Sequence, residues 1–522
     1  MLLYEYLNFL SDDIISTSNL KDIEICNITD NSRSISDKTI FIAVKGSSLN
    51  GHSFINDAIS SGAEVILHQE KINNYNAKTI YIQVLNSYLA YAKLLEVFYG
   101  FPASKMKMIG ITGTNGKTTC AFIINHILKS KGYKTGLITT VQYSYGNTVI
   151  PAKRTTPGPL ELQQLFSGMF NDGCEYIIME ISSHSLIQNR LGCTKFSATL
   201  FTNLSGDHLD YHGNMENYYL AKKLLFTDYN CRRAVPALKG SESPVLQKSC
   251  TIINRAPKTE DKDTHKSKDK THHIVNYDDS YGQRLISDLK SDNVTTYGKS
   301  TESDFRIEYN EQHCSATMII NNCRHKIVTS LIGEFNIYNI AGAIALCSKL
   351  GVPVKSSLEA VKSFKSAPGR LEGFKTQKGT DCYVDYAHTD DALKRALKAL
   401  KQINPNKLIV VFGCGGDRDK SKRPRMGKAA STFADIIIIT DDNPRTENSI
   451  DIINDIKPGI SFNSDVIIIP ERKKAIYHAL NIAKEKDIVL IAGKGHEDYQ
   501  EIGTLRVPFD DADVIRSFIN ES

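Results

Sequence analysis

Residues 112–119, Thr-Gly-Thr-Asn-Gly-Lys-Thr-Thr, have the composition of a loop that binds phosphate. They follow the apolar run MKMIGI and precede the helical pattern CAFIINHILKSKGYK. Small residues let backbone N–H groups approach phosphate oxygens, and the start of a helix adds a positive dipole. Strand, loop and helix in this order predict an ATP-type site with bound Mg²⁺, although Ile111 stands where the strict pattern has glycine. The predicted nucleotide contacts are Gly113, Thr114, Asn115, Gly116, Lys117, Thr118 and Thr119.

Two later apolar runs end in side chains that could bind a metal. CEYIIMEISSH ends near Glu180, and FSATLFTNLSGDHLDYH ends near His208. Mg²⁺ takes a few hard oxygen ligands together with water and phosphate, so Glu180 is the best candidate, and His208 could complete the ligand set. A hydrogen-bonded structural role is the alternative for each histidine. Zinc is not supported, because no zinc-ligand spacing is present.

These groups need strands to position them, and the chain supplies apolar runs rich in Ile and Val that alternate with helical patterns. This alternation is typical of parallel sheets in α/β proteins. In open α/β sheets, ligands bind beyond the carboxyl ends of the strands, where these runs end in polar or Gly-rich clusters. The predicted strands are Met106 to Thr112, Cys174 to Ile181, Phe196 to Thr202, Asp381 to Tyr386, Lys407 to Phe412, Asp435 to Thr440, Val466 to Pro470 and Asp487 to Ala492.

Length and composition limit the classes of protein that are possible. The chain has 522 residues, more than one hydrophobic core can serve, which predicts about three or four domains. Its 63 Lys and Arg against 58 Asp and Glu are too small a surplus to predict nucleic-acid or acidic-membrane binding. The 11 Cys lack a C-x-x-C pair and are interpreted as reduced. Without a signal peptide or a membrane-spanning run, we expect a cytoplasmic protein.

Turn-rich stretches suggest where the domains divide. Gly100, Pro102 and Ser104 favour a first boundary, and the turn near Ala367 favours a second, giving domains 1–103, 104–367 and 368–522. Residues 257–273 contain no apolar side chain large enough to build a core, which predicts a mobile, solvated loop within an insertion at about 236–273. A metal-binding tract of His265, His272 and His273 is the alternative.

The chain carries an ordered series of further motifs, with the weaker NSRSISDKTIFIAVKG near the start. The series is GTNGKTT, MEISSHSL, FTNLSGDHLDYHGN, LIGEFNIYNIAGAIAL, GRLEGF, VDYAHTDDALKRAL, VFGCGGDRDKSKRPRMG, TDDNPRTE and IAGKGHEDYQ. These motifs closely resemble those of the ATP-dependent Mur ligases of peptidoglycan synthesis, and most of all the branch that adds the third amino acid of the peptide. The resemblance covers nearly the whole chain outside the insertion.

The resemblance implies three α/β domains: a small N-terminal domain that binds UDP, a central P-loop ATPase-like domain with a parallel sheet, and a C-terminal Rossmann-like domain. It implies that a peptide carboxylate attacks the γ-phosphate of ATP, and that an incoming amine displaces the resulting acyl phosphate. Lys222 matches a lysine that carbon dioxide converts to a carbamate, although by itself it would be interpreted as solvated. The implied catalytic residues are Lys117, Glu180, His208 and Lys222, and the implied metal ligands are Thr118, Glu180, His208 and carbamylated Lys222.

Further residues match the family's binding positions. Asn336, Arg370 and Asp385 match nucleotide contacts, the last two from the C-terminal domain, so that domain closure would assemble the site. In the first two domains, the implied contacts to UDP-N-acetylmuramoyl-L-alanyl-D-glutamate are Ser32, Ser47, Ser48, Leu49, Thr155, Thr156, Ser183, Gln188 and Arg190. The UDP contacts match less well, because Asn31 stands where the family has Asp.

In the family that the chain resembles, the tetrad Asp442-Asn443-Pro444-Arg445 accompanies meso-diaminopimelate, so the resemblance implies this amino acid. The chemistry agrees, because an Arg fork can pair with the distal carboxylate that lysine lacks. The implied amino-acid contacts are Arg418, Asp442, Asn443, Pro444, Arg445, Gly493 and Glu497. The same ligation with L-lysine, a relative such as folylpolyglutamate synthetase, and a nonenzymatic nucleotide-sensing or scaffold protein are the alternatives. The resemblance also implies a monomer.

Overall fold

The structure is a computed structural model that describes residues 1–46, 49–73, 75–227, 271–310 and 315–521. Ser47, Ser48, His265 and residues 236–270 of the predicted insertion therefore lie outside the described residues. The chain forms two compact units, Met1–Lys117 with Lys131–Thr295, and Thr118–Ser130 with Thr296–Ser522. The boundaries expected near 103 and 367 stay predictions. Among the described residues, no helix has both the length and the apolar character needed to span a bilayer.

The N-terminal part of the first unit is a five-stranded sheet in the order β1-β5-β4-β3-β2. Strands β2 to β5 are parallel, and β1 is antiparallel to β5. The runs TIFI and VILH are buried along their whole length because helices cover the sheet. The elements are β1 Ile14–Ser18, β2 Asn27–Thr29, β3 Thr39–Ile42, β4 Val65–His68, β5 Ile80–Val84, α1 Leu3–Asn8, α2 Ile55–Ser60 and α3 Ser87–Phe98.

The rest of the first unit contains strands in the order β12-β11-β6-β10-β7-β8-β9. Strands β11, β6 and β10 are adjacent and parallel, so the chain leaves all three at one edge, after Phe201, Thr112 and Glu180. The elements are β6 Lys107–Thr112, β7 Thr135–Ile138, β8 Gln142–Tyr145, β9 Thr148–Pro151, β10 Tyr176–Glu180, β11 Ala198–Phe201, β12 His272–Asn276, α4 Lys117–Ser130, α5 Pro159–Asn171, α6 Ser183–Ile187, α7 Leu209–His212, α8 Met215–Thr227 and α9 Ser280–Leu289. From Thr118 onward, α4 groups with the second unit.

The predicted solvated segment extends too far, because its last two residues belong to a strand. His272 and His273 begin β12, which pairs in parallel with β11. The His273 ring is buried, and its Nδ1 is 2.8 Å from Thr199 Oγ1. Burial lowers the pKa of His273 to about 4 and keeps the ring neutral. The prediction of a loop through residue 273 is therefore wrong, because pairing with a neighbouring strand buries polar residues that have no apolar pattern of their own.

The second unit contains a six-stranded sheet in the order β17-β18-β22-β19-β20-β21, parallel except for the edge strand β17. It also contains the antiparallel strands β14 to β16 and a separate hairpin of β23 and β24. The strands are β13 Val294–Gly298, β14 Phe305–Asn310, β15 Ser315–Ile320, β16 Cys323–Ile327, β17 Glu372–Lys375, β18 Asp381–Asp385, β19 Leu408–Phe412, β20 Ile436–Ile439, β21 Asp465–Ile468, β22 Ile488–Ala492, β23 Tyr499–Ile502 and β24 Leu505–Pro508. The helices are α10 Glu334–Lys349, α11 Val354–Ser363, α12 Asp390–Lys401, α13 Lys422–Phe433, α14 Ser449–Ile456, α15 Arg472–Ile482 and α16 Asp511–Glu521.

Three neighbouring strands form the centre of this sheet and agree with the predicted apolar runs. The sequences LIVVF, IIII and IVLIA of β19, β20 and β22 are buried throughout, because helices pack on both faces. The strands end at Phe412, Ile439 and Ala492, and the loops that follow carry the motifs GGDRDK, DNPR and GKGHE. The sheet thus brings the three motifs predicted to bind the amino acid to one edge.

A buried ion pair anchors two of these loops. The Arg472 guanidinium donates from Nε and Nη2 to the two carboxylate oxygens of Asp511, at 2.8 and 2.7 Å. It also donates to the carbonyl oxygens of Asp441 and Ala492, at 3.1 and 3.0 Å. These carbonyls directly precede Asp442 and Gly493, so one arginine ties together the starts of the DNPR and GKGHE loops.

We expect Arg472→Met to lower the free energy of unfolding by about 3–5 kcal/mol, because it leaves the Asp511 carboxylate buried without its cation. Urea denaturation measures the change. Arg395→Met is the matched control, since Arg395 makes an exposed ion pair with Asp391 and its loss should change stability by less than about 1 kcal/mol. Equal losses in the two variants would contradict an anchoring role for Arg472.

Candidate functional site

The phosphate-type loop leaves β6 and leads into α4, as the sequence predicts. Gly113 has a φ of 147°, and a Cβ built on it would lie 1.9 Å from Thr202 Oγ1. The loop is attached to the exit of β11, since the Asn115 N–H donates to Asn203 Oδ1 at 3.0 Å and Thr202 Oγ1 donates to the Asn115 carbonyl at 2.6 Å. Glycine at 113 is therefore required both by backbone conformation and by space.

Two lysines meet at this loop. Lys117 Nζ donates to the carbonyl oxygens of Gly113 and Thr114, both at 2.9 Å. Lys222 Nζ, on the buried face of α8, donates to the same Gly113 carbonyl at 2.9 Å and lies 4.6 Å from the centre of the Tyr218 ring. Burial, and then the Lys117 charge, lower the pKa of Lys222 well below its ordinary value. The neutral amine thus favoured is the form of lysine that can react with carbon dioxide.

Glu180 is buried at the carboxyl end of β10 and is oriented by Thr140. The Thr140 N–H donates to Glu180 Oε1 at 3.0 Å, and the Thr140 hydroxyl lies 3.2 Å from Oε2. The same hydroxyl lies 3.1 Å from that of Thr155, one of the predicted peptide contacts. Sequence reasoning missed Thr140, because its only signal is its position directly after an apolar strand segment.

The predicted peptide contacts Thr156, Gln188 and Arg190 form one hydrogen-bonded group. Arg190 donates from Nη1 to the Thr156 carbonyl at 2.6 Å, and from Nε and Nη2 to Gln188 Oε1 at 2.9 and 2.7 Å. The Thr156 hydroxyl donates to the Glu180 carbonyl at 2.8 Å, which joins this group to β10. Burial lowers the pKa of Arg190, yet from a value so high that the side chain stays charged. The structure thus brings a fixed cation to the predicted binding position for the peptide.

Ser183 is buried at the start of α6, and its hydroxyl lies 2.8 Å from His212 Nε2. Burial lowers the pKa of both His184 and His212 to about 4, so both rings stay neutral at physiological pH. His208 has a left-handed backbone with a φ of 54°, a conformation that concentrates at functional sites. Its Nε2 lies 3.5 Å from Asp207. Sequence reasoning missed the Ser183–His212 contact.

The described residues contain no group of three or more His, Cys, Asp or Glu side chains that could hold a metal ion. Glu180 and His208 therefore do not form a complete site by themselves. They fit Mg²⁺, because this ion needs few protein oxygens when phosphate and water supply the others. A carbamate on Lys222 would add further oxygens near the Gly113 carbonyl.

Ser32 lies in the short 3₁₀ helix Ser32–Ser34, and Leu49 is exposed in the loop after β3. Asn31 caps the 3₁₀ helix, because its Oδ1 accepts from the Arg33 N–H at 3.0 Å, a role that an aspartate could also fill. Within the described part of the chain, no hydrogen bond joins Ser32 or Leu49 to the Thr156–Arg190 group. Their expected contact with UDP stays a prediction.

In the second unit, Arg370 reaches the helix that carries the end of the phosphate-type motif. Its Nη2 donates to Thr118 Oγ1 at 3.3 Å, and the guanidinium lies 4.6 Å from the centre of the Tyr386 ring. The Asp385 carboxylate accepts from the Leu371 N–H at 2.8 Å, and burial raises its pKa. Asn336 is buried in α10 and donates to the Ile332 carbonyl at 2.8 Å. Thr119 is buried in α4, next to Thr118.

Two of the predicted amino-acid contacts, Asn443 and Glu497, are joined by a lysine that sequence reasoning missed. Glu497 Oε2 accepts from Asn443 Nδ2 at 2.9 Å and from Lys494 Nζ at 3.0 Å. Lys494 is fully buried and also donates to Asn443 Oδ1 at 3.1 Å. Gly493 has a φ of 118°, and its Cβ would lie 2.4 Å from Asp442 Oδ2. The GKGHE motif was the available signal, but the resemblance implies roles only for its outer residues, Gly493 and Glu497.

Arg445 and Arg418 line one cleft, together with the tip of the hairpin β23–β24. Arg445 Nε lies 2.7 Å from Glu501 Oε2, and its Nη1 donates to the Gly416 carbonyl at 2.8 Å. Arg418 is exposed beside Asp417. The structure therefore places both predicted carboxylate-binding cations at one cleft, while Glu501 is an acidic neighbour that the sequence did not reveal.

Comparison with known proteins identifies the family. Models described as the Mur ligase family catalytic domain, the Mur ligase middle domain and the Mur ligase glutamate ligase domain match residues 24–99, 111–246 with 263–347, and 369–495. A curated relative from Clostridium acetobutylicum, named UDP-N-acetylmuramoyl-L-alanyl-D-glutamate--2,6-diaminopimelate ligase 1, is 37% identical and aligns over 96% of each chain. The chain belongs to the Mur ligase family.

Other comparisons agree with this assignment. A relative from Aquifex aeolicus, named UDP-N-acetylmuramoyl-L-alanyl-D-glutamate--2,6-diaminopimelate ligase, is 38% identical. The alignment covers 94% of this Mur ligase and 93% of the relative. A solved structure of a UDP-N-acetylmuramoyl-L-alanyl-D-glutamate--2,6-diaminopimelate ligase is 29% identical, covers 95% of both chains and has a TM-score of 0.64. The MurF ligase of Thermotoga maritima in complex with ADP is 18% identical, with a TM-score of 0.56 and coverage of 96% and 99%, and shows a shared fold.

The three matched domains also bear on the predicted insertion. The middle-domain model passes over residues 247–262 and resumes at 263. Apart from residues 272–273, the expected bounds of the insertion, about 236–273, stay a prediction.

We expect Gly113→Ala to weaken binding of Mg²⁺·ATP by roughly tenfold or more, because the added methyl group collides with Thr202 and the backbone is unfavourable for alanine. Calorimetric titration measures the affinity. Gly132→Ala is the matched control, since Gly132 also has a positive φ, of 84°, but has no atom within 4 Å of its Cβ position. Unchanged ATP affinity in Gly113→Ala would show that the loop tolerates a side chain.

Proposed function

We propose that this Mur ligase uses ATP to join meso-2,6-diaminopimelate to UDP-N-acetylmuramoyl-L-alanyl-D-glutamate, a step of peptidoglycan precursor synthesis. The observation that carries the proposal is the match, over nearly the full length, to ligases named for this reaction at 36–38% identity. The cleft at Arg445 supports the choice of amino acid, because it offers cations to a distal carboxylate. We further propose that the enzyme works as a monomer in the cytoplasm.

The acceptor peptide would bind at the group of Thr155, Thr156, Ser183, Gln188 and Arg190. The fixed Arg190 guanidinium can pair with a peptide carboxylate, and the hydroxyls of Thr155 and Ser183 can orient it. This group is joined to Glu180 by hydrogen bonds through Thr140 and Thr156. The reacting carboxylate would therefore be held next to the residues that handle phosphate. At the other end of the substrate, Ser32, Ser47, Ser48 and Leu49 would hold the UDP group.

Phosphoryl transfer depends mainly on position and on neutralised charge. Backbone N–H groups of residues 113–119 would hold the phosphates, and Lys117 would move from the Gly113 carbonyl to the terminal phosphate. Glu180, His208 and carbamylated Lys222, with the Thr118 hydroxyl, would hold Mg²⁺, which when bound neutralises phosphate charge. Asn336, Arg370 and Asp385 would contact the nucleotide. The acceptor carboxylate would then attack the γ-phosphate and release ADP, forming an acyl phosphate.

The amino acid would attack the acyl phosphate with one amine and release phosphate. Its distal ammonium would be received by the Gly493 carbonyl and the Glu497 carboxylate, which Asn443 and Lys494 hold in place. Its distal carboxylate would pair with Arg418 and Arg445, with Asp442 and Pro444 shaping the loop. A site that pairs with a carboxylate disfavours an analogue that lacks it, because the analogue forms no ion pair with Arg418 or Arg445.

The substrate proposal predicts a kcat/KM at least about a hundredfold higher with meso-diaminopimelate than with L-lysine. The assay supplies purified protein with ATP, Mg²⁺ and UDP-N-acetylmuramoyl-L-alanyl-D-glutamate, and measures both phosphate release and tripeptide product. Equal or better use of L-lysine would overturn the choice of amino acid but leave the ligase reaction in place. Absence of product with either amino acid would overturn the ligase reaction itself.

The carbamate proposal predicts that Lys222→Ala lowers kcat by roughly two orders of magnitude or more, with partial rescue by short carboxylic acids. The added acid would place oxygens where the carbamate stood. Lys223→Ala is the matched control, because the neighbouring Lys223 forms a partly exposed ion pair with Asp288. Full activity of Lys222→Ala would exclude the carbamate from the mechanism, and loss without rescue would favour a purely structural role.

A further inference from the structure

The guanidinium of Arg445 already has a partner where the amino acid is proposed to bind. Its Nε lies 2.7 Å from Glu501 Oε2, and only a fifth of either side chain is exposed. The Arg445 backbone is also held to the hairpin, since its N–H donates to the Glu501 carbonyl at 3.0 Å and its carbonyl accepts from the Gly503 N–H at 2.8 Å. A substrate carboxylate that reaches Arg445 must therefore compete with the Glu501 carboxylate.

The second oxygen of Glu501 has a partner of its own. Arg506, opposite Glu501 in the hairpin, approaches Glu501 Oε1 from Nη2 at 3.1 Å and from Nε at 3.2 Å. The Arg506 guanidinium lies 4.4 Å from the centre of the Tyr499 ring, and two thirds of the side chain is exposed. Glu501 thus bridges a largely buried arginine and a largely exposed one, using a different oxygen for each.

The residues that line the cleft carry one more positive charge than negative charge, which one further carboxylate would balance. Among its described lining residues, the guanidiniums of Arg418, Arg445 and Arg506 outnumber the carboxylates of Asp417 and Glu501 by three to two. Asp417 is engaged elsewhere, because its carboxylate accepts from the hydroxyl of Thr446 at 2.8 Å. Glu501 is therefore the acidic group of the cleft that competes directly for Arg445.

We propose that Glu501 is an internal counter-ion of Arg445 that the distal carboxylate of the amino acid replaces, and that Arg506 retains Glu501 during this exchange. The inference rests on the proposed function. When Glu501 leaves Arg445, it keeps its hydrogen bonds to Arg506 and is not left unpaired. The exchange therefore costs little free energy. An amino acid without a distal carboxylate leaves the Glu501–Arg445 pair intact. Glu501 and Arg506 are thus positioning residues that influence affinity and specificity through Arg445.

The exchange predicts opposite effects for two residues that contact each other. Glu501→Gln removes the competing charge and should lower the KM and Kd for meso-diaminopimelate by about three- to tenfold. Arg506→Gln leaves Glu501 with Arg445 alone and should raise both by a similar factor. The double variant should behave like Glu501→Gln, because Arg506 acts through Glu501. The KM for ATP should not change in any of these variants.

Steady-state kinetics and calorimetric titration with meso-diaminopimelate measure these effects. Arg395→Gln and Glu359→Gln are controls of matched chemistry, since both residues form exposed ion pairs on helices of the same unit. If both single variants weaken binding, the pair only supports the fold of the hairpin and the exchange is wrong. If the double variant binds more weakly than Glu501→Gln, Arg506 contacts the substrate directly and the exchange is also wrong.

The same titrations separate this inference from the proposed function. If wild-type protein binds meso-diaminopimelate and the variants follow the expected order, but no tripeptide forms, the exchange stands and the ligase proposal fails. If tripeptide forms and the variants do not follow that order, the ligase proposal stands and the exchange fails. If meso-diaminopimelate does not bind at all, both are overturned.

Discussion

The carbonyl oxygen of Gly113 accepts hydrogen bonds from two lysine side chains, Lys117 and Lys222, each at 2.9 Å. Burial lowers the pKa of Lys222, and the charge of the neighbouring Lys117 lowers it further. This arrangement depends on the absence of a side chain at Gly113 and on the attachment of the loop to the exit of β11 through Thr202 and Asn203. The chemistry proposed for the first unit follows from this one crowded position, because it favours a neutral amine beside a phosphate-type loop.

In the second unit, buried cations stabilise loops. Arg472 and Lys494 are both fully buried, and each is satisfied by a carboxylate together with further oxygen atoms. They hold the DNPR and GKGHE loops in place and have no exposed surface to offer a ligand. The exposed or half-buried cations Arg418, Arg445 and Arg506 face the cleft instead. The net charge of +5 therefore indicates little about function, because burial determines which cations support loops and which can bind a substrate.

Much of the fold could be predicted, because a strand buried on both faces must be apolar along its whole length. The predicted runs agree with β6, β10, β11, β18, β19, β20, β21 and β22. The phosphate-type loop could also be predicted from the sequence, because its residues are contiguous. The error at residues 272–273 arose because β12 begins with two histidines, which do not form an apolar strand pattern. These residues join the sheet because they pair with β11. Sequence reasoning missed four contacts, because in each the two partners are far apart along the chain. They are Thr140 with Glu180, His212 with Ser183, Lys494 with Asn443, and Glu501 with Arg445.

The sequence by itself determined the α/β class, the phosphate-type loop, and the family to which the motifs belong, because each of these depends on residues that are close together along the chain. Only the tertiary structure decided the lowered pKa of Lys222, the anchoring of two loops by Arg472, and the pairing of Arg445 with Glu501. These depend on burial and on distances of about 3 Å between residues that can be far apart in sequence, where hydrogen bonds and charge interactions act. A sequence motif specifies which groups are available, and packing sets the charge and the partner that each group has.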